Sequence, residues 1–75
     1  MDAKEIQAQI SRLKINQGDL IVVTKSTRAW GGGENRNRSE GRFISYDGAY
    51  LLYQPSGEKG RKSVNYMSLS DLEKI

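Results

Sequence analysis

Seventy-five residues with twelve Lys+Arg against nine Asp+Glu make one small domain of net charge +3, near the size at which a single core barely holds a chain. The absence of cysteine excludes a disulfide staple, and without histidine the ordinary zinc and transition-metal ligands are missing as well. The longest aliphatic run, Leu20–Val23, is too short to span a membrane, and Met1–Glu5 has no apolar signal-peptide core, so a cytoplasmic protein is expected.

The first predicted element is a helix. Asp2 with Glu5 three residues later has the spacing of a capping box, with Asp in place of the usual Ser or Thr. Ile6, Ile10 and Leu13 then fall at i, i+4 and i+7, one apolar stripe flanked by Lys4, Gln7, Gln9, Arg12 and Lys14. The pattern predicts a helix over about 2–15, ended by Asn16-Gln17-Gly18, where glycine takes the left-handed cap. Such a stripe must lie on the open end of a small sheet or on a partner subunit. Because a core of this size is little to cover it, a homo-oligomer is expected.

Gly18-Asp19 opens Leu20-Ile21-Val22-Val23-Thr24-Lys25. Its β-branched density predicts a strand, and its continuous apolar character predicts burial on both faces. A long loop is predicted over 26–41, holding the only tryptophan, three arginines and four glycines. Loops beyond about 12–15 residues in compact domains usually carry function or disorder. Arg42–Tyr46 and Ala49–Gln54 read as strands joined by Asp47-Gly48, a strong hairpin signal because a type I′ turn needs positive φ at both central residues. A two-residue turn sets Tyr46 opposite Ala49, Ile44 opposite Leu51 and Phe43 opposite Leu52. Strand register makes Tyr50 and Tyr66 the better surface tyrosines. Pro55–Gly60 is a polar turn, and Arg61–Met67 is a last strand, basic at its start. Ser70-Asp71-Leu72-Glu73 again has capping-box spacing and predicts a closing helical turn, with Leu69, Leu72 and Ile75 inward.

These elements predict a single, mainly β domain: a small, strongly bent antiparallel barrel over about 18–75, with an N-terminal amphipathic helix and a short C-terminal helical turn. Closure would also remove exposed sheet edges. Gly41-Arg42-Phe43-Ile44-Ser45-Tyr46-Asp47 resembles the first half of the Sm-fold signature, in which a glycine, alternating apolar residues and an aspartate lead into a hairpin. The helix ahead of the first strand also matches Sm-like proteins. The resemblance implies an Sm-like or Src-homology-like barrel. The family's RNA-contacting asparagine would fall near Leu51, and its Arg-Gly motif is approximated by Lys59-Gly60 with Val64 one residue out of step, so the RNA pocket is not carried over. Gly18-Asp19 with Ala29-Trp30, together with the ending from Ser63 to Ile75, is similar to the plasmid-borne type II dihydrofolate reductases, which are tetramers of small barrels. Where their pore uses Val-Gln-Ile-Tyr, this chain has Val64, Asn65, Tyr66 and Met67. That resemblance implies shared barrel closure rather than shared chemistry.

Two basic groups stand out. Lys25, Arg28, Arg36, Arg38 and Arg42 lie in or beside the 26–41 segment, and Lys59, Arg61 and Lys62 lie at the last turn. Arg36 and Arg38 share a face if their segment is extended. Arginine forks suit phosphate, and an exposed Trp30 offers a stacking platform for a base. Gly31-Gly32-Gly33 lets backbone approach an anion, but no helix follows it, so it is not a Walker-type loop. The competing reading makes Trp30 a lid on the barrel and the arginines a solvated surface. Catalysis has little to work with, since no histidine activates the hydroxyls and no carboxylate pair has an evident shared site. No catalytic, cofactor or metal residue is assigned. The expectation is a non-enzymatic barrel that binds nucleic acid or a nucleotide-like anion. The alternatives are a protein-interaction or inhibitory accessory module, for example of a mobile element, and a pore-type reductase.

Overall fold

The computed structural model describes residues 1–28 and 30–75; Ala29 and the side chain of Arg28 lie outside the described residues. Asp2 caps the first helix, α1 (Ala3–Leu13), its carboxylate accepting from the Glu5 N–H at 2.8 Å. That bond holds the Asp2 carboxyl below the usual carboxylate range. The helix closes at Lys14, left-handed at φ 54°, four residues before the glycine expected to end it. Gly18, at φ 90°, instead turns the chain into the first strand. Ile6 and Ile10 are buried and Leu13 is partly buried against the core, so the apolar stripe lies on the chain's own sheet.

Five strands form one antiparallel sheet: β1 (Leu20–Arg28), β2 (Glu34–Tyr46), β3 (Tyr50–Pro55), β4 (Lys62–Asn65) and β5 (Leu69–Lys74). Their order is β4-β3-β2-β1-β5, which puts β4 and β5 at opposite edges and leaves the sheet open. A 3-10 turn, Tyr66–Ser68, carries the chain from one edge strand to the other. The core holds Ile21 and Val23 of β1, Leu51 and Tyr53 of β3, Val64 of β4, and Leu69 and Leu72 of β5. Only one face of β1 is fully covered, since Leu20 and Val22 remain half-buried where burial on both faces was expected.

Residues 26–28 and 34–41 are strand rather than loop. β1 and β2 pair in unbroken register from Leu20↔Arg42 to Arg28↔Glu34. β3 leaves β2 after Gly41 and β5 leaves β1 after Lys25, so beyond the Lys25↔Asn37 pair residues 26–28 and 34–36 run on as a free two-stranded ribbon. From Gly41 out to Glu34 β2 is about 23 Å long at ~3.3 Å per residue, and its last stretch, about 7 Å from Arg36 to Glu34, belongs to the free ribbon.

Two bulges account for the other departures from expectation. Asp47 accepts from the N–H groups of Tyr50 and Ala49 at 2.7 and 2.8 Å, which widens the β2–β3 turn beyond two residues and holds the Asp47 carboxyl low. Tyr46 therefore faces Leu51 rather than Ala49, and Ser45 faces Leu52. Ile44 is bulged out, and Phe43 faces Tyr53. The extra residue lets Gly41, Phe43 and Tyr46 turn to the core despite their uneven spacing. The closing helical turn expected at Ser70–Glu73 is instead strand β5. A register shift opposite Thr24 and Lys25 leaves Ser70 without a partner, so Leu69 and Leu72, three apart, are both buried. The helical turn lies one segment earlier, where the Asn65 side chain accepts from the Met67 N–H.

Candidate functional site

The ribbon sorts the basic residues by strand parity. Thr24↔Arg38 and Ser26↔Arg36 belong to one face, together with Val22↔Glu40. Arg36 and Arg38 thus share a side, as an extended segment requires. Each has an exposed anionic neighbour, Glu34 at 3.8 Å from Arg36 and Glu73 at 3.3 Å from Arg38. Both pairs are more than half open to solvent, where such contacts are worth about 0–1 kcal/mol, so either arginine can exchange its carboxylate for another anion. Ser26 Oγ also donates to Glu34, which ties the two strands together near the tip.

The remaining candidates are divided. Lys25 lies on the other face of the ribbon, its ammonium 6.0 Å from the centroid of the Tyr53 ring. Arg42 is not part of the ribbon: it donates to the Gly18 carbonyl at 3.1 Å, at the root of β1. Arg28 ends β1, and its side chain falls outside the described residues. Trp30 lies in the tip of the ribbon and is fully exposed, so it does not cover the core. Lys59, Arg61 and Lys62 are exposed around the β3–β4 connection, with Lys62 3.3 Å from Glu58.

The two basic groups share one end of the sheet. In an antiparallel meander the β1–β2 and β3–β4 connections lie on the same side, and the Ser56 N–H reaches the Glu40 carbonyl at 2.9 Å across that end. Lys62 is also the cross-strand partner of Tyr53, beneath Lys25. Segment 24–40 has four cations and two anions, and segment 58–62 has three cations and one anion. The rest of the chain has five cations and six anions. Asp71 and Glu73 of β5 flank the same ribbon, and with them counted this end holds seven cations and five anions, +2 of the protein's net +3.

Shallow depressions flank the β1–β2 pair, and two of them hold the paired arginines and the tip glycines. One, of about 440 Å³, is lined by Thr24, Arg36, Arg38, Ser70, Asp71 and Glu73. Its two carboxylates oppose its two arginines. The other, of about 380 Å³, lies between Ser26, Thr27, Glu34, the glycines Gly32 and Gly33, and Met67. Among the described residues, no three Asp or Glu side chains converge to hold a metal ion.

The sequence reading missed three features. Glu73 meets Arg38 only because β5 pairs with β1. Met67 is exposed beside the ribbon. Tyr53 is wholly buried, with a hydroxyl that finds no partner among the described residues. Of the tyrosines expected at the surface, Tyr50 is half exposed, whereas Tyr66 packs partly on the core.

No protein-family model matches the chain, and no curated protein or solved structure matches it either. The functional reading therefore rests on the geometry and charge described above.

Proposed function

We propose that this chain is a non-enzymatic binding module that engages nucleic acid, or a nucleotide-like anion, through the β1–β2 ribbon and the neighbouring β3–β4 connection. One observation carries the reading: seven of the protein's twelve cations gather at that end, four in segment 24–40 and three around the β3–β4 connection. Arg36 and Arg38 would contact phosphates along one side of the ribbon, with Lys59, Arg61 and Lys62 adding to the field and Trp30 meeting a base. A two-stranded β-ribbon is also of a width that a major groove admits. We read the open sheet as a partly opened barrel of the Sm-like or Src-homology-like kind. Its support is the strand order, the single 3-10 turn between the edge strands, and the two bulges that bend it.

The test is a titration of labelled DNA and RNA across a salt series, with Trp30 emission as a second reporter. Binding should weaken linearly in log K against log salt, and Arg36→Ala/Arg38→Ala should flatten that slope by about 2, one per lost phosphate contact. Binding that is insensitive to salt, or unchanged in the double variant, overturns the reading. Saturation by a protein surface with no response to nucleic acid would point to an interaction module instead.

A further inference from the structure

We infer that Trp30 is a wedge for an interrupted base stack: the ribbon selects nucleic acid with an opened step, such as a bulge, mismatch or nick, over intact duplex and plain single strand. This rests on the nucleic-acid reading above and names the substrate class of the same site.

Trp30 is fully exposed and is followed by Gly31 and Gly32, at φ 92° and 91°, and then by Gly33. A Cβ built at Gly31 or Gly32 would meet nothing within 4 Å, so the backbone beside Trp30 at the tip is open as well. The platform is also solitary. Tyr50 is the other exposed aromatic, and it sits at the β2–β3 connection, at the opposite end of the sheet. Proteins that hold a run of single strand stack successive bases on successive aromatic groups. One indole on a convex tip can take one base or enter one step.

Magnitudes then choose the substrate. A base stacked on an aromatic side chain gains roughly five-fold to over a hundred-fold in affinity. Opening an intact base step costs a comparable factor or more, so insertion into perfect duplex returns little. Where the stack is already interrupted, that cost is absent and the gain from the indole is kept. The arginines behind the tip would supply the phosphate contacts. Arg36 and Arg38 are alternate residues of β2, about 6.6 Å apart along the strand, on the same side of the ribbon.

The experiment compares duplexes of equal length and charge, intact or carrying a one-base bulge, and a single strand of the same sequence, in DNA and in RNA. Affinity is read by anisotropy at fixed low salt for the parent, Trp30→Ala and Trp30→Phe. The bulged duplex should bind about ten-fold tighter than the intact one, with Trp30 emission changing on the bulged ligand. Trp30→Ala should abolish the preference while keeping salt-dependent binding to both, and Trp30→Phe should keep part of it. Trp30 is outside the core, so an unchanged melting temperature checks that the fold survives. Equal affinity for intact and bulged duplex, or a preference that survives Trp30→Ala, overturns the wedge and leaves the arginine contacts standing. Tightest binding to the single strand also overturns it. Failure to bind any of the nucleic acids overturns both the wedge and the proposed function.

Discussion

Replacing Gly41 with alanine should destabilise the protein through one identifiable collision. Gly41 is at the root of the ribbon, opposite Ile21 on one side and Pro55, the last β3 partner, on the other. Its φ is not positive, so alanine meets no backbone penalty there. A Cβ would, however, press on the Gln54 carbonyl oxygen and stand 2.8 Å from Tyr53 Cδ2. Neither neighbour gives easily: one is backbone, and the other belongs to a ring with no exposed surface. Overpacking of this kind costs about 1–3 kcal/mol. Restricting the unfolded chain returns about 0.4–1 kcal/mol, leaving a net loss of about 1–2 kcal/mol. At roughly 4–8 °C per kcal/mol for a domain of this size, thermal unfolding followed by far-UV circular dichroism should drop by about 4–16 °C. A Gly41→Ala protein that melts at or above the parent temperature refutes the close passage of Tyr53 across β2.

Two tyrosines should respond in opposite directions to loss of the hydroxyl. Tyr53→Phe removes a buried hydroxyl without a partner and should leave stability unchanged or raise it, whereas Tyr46→Phe breaks the 2.8 Å bond to the Ala3 carbonyl and should cost about 0.5–1.5 kcal/mol. Chemical denaturation of both variants checks this, and a loss in Tyr53→Phe would mean that its hydroxyl has a partner after all. Asp2, Asp19 and Asp47 are all held below their ordinary value of 3.8, in each case chiefly by backbone N–H bonds. Their contribution is fully present above that value and is lost as pH falls through the lower folded-state values, so the melting temperature should decline below about pH 4. Asp47→Asn should make that decline shallower, and an unchanged acid profile would count against the Asp47 bonds to Ala49 and Tyr50. Leu72→Ala, at a fully buried position, should cost about 2–5 kcal/mol, which in a domain this small is read as loss of cooperative unfolding.

Sequence legibility followed burial. Ile6, Ile10 and Leu13 announced α1 by their helical period, and the β-branched run Leu20–Val23 announced β1, because both elements place apolar residues on the core. The stretch Glu34–Ser39 carries no such signal. Its residues, Glu-Asn-Arg-Asn-Arg-Ser, are polar and bury little, so nothing in their own pattern marks a strand; pairing with β1 makes them one. The same limit applied to the site. The extended pairing of Arg36 with Arg38 could be foreseen as a condition, but Glu73 beside Arg38 and Lys25 above Tyr53 depend on strand order and on the curl of the sheet.

The two bulges show why local spacing misled at the other positions. Leu69 and Leu72 stand three apart, which on a regular chain puts them on one face only if the chain is helical. An unpaired Ser70 achieves the same in a strand, and an unpaired Ile44 does so for Phe43 and Tyr46. A bulge also sharpens twist and bends the strand that carries it. With one on β2 and another on the β1–β5 pair, the sheet curls enough for Lys25 to reach Tyr53, two strands away. The irregularities that hid β5 from a sequence reading therefore help to bring the base of the ribbon over the β3–β4 side, which is how two basic groups remote in sequence come to share one end of the molecule.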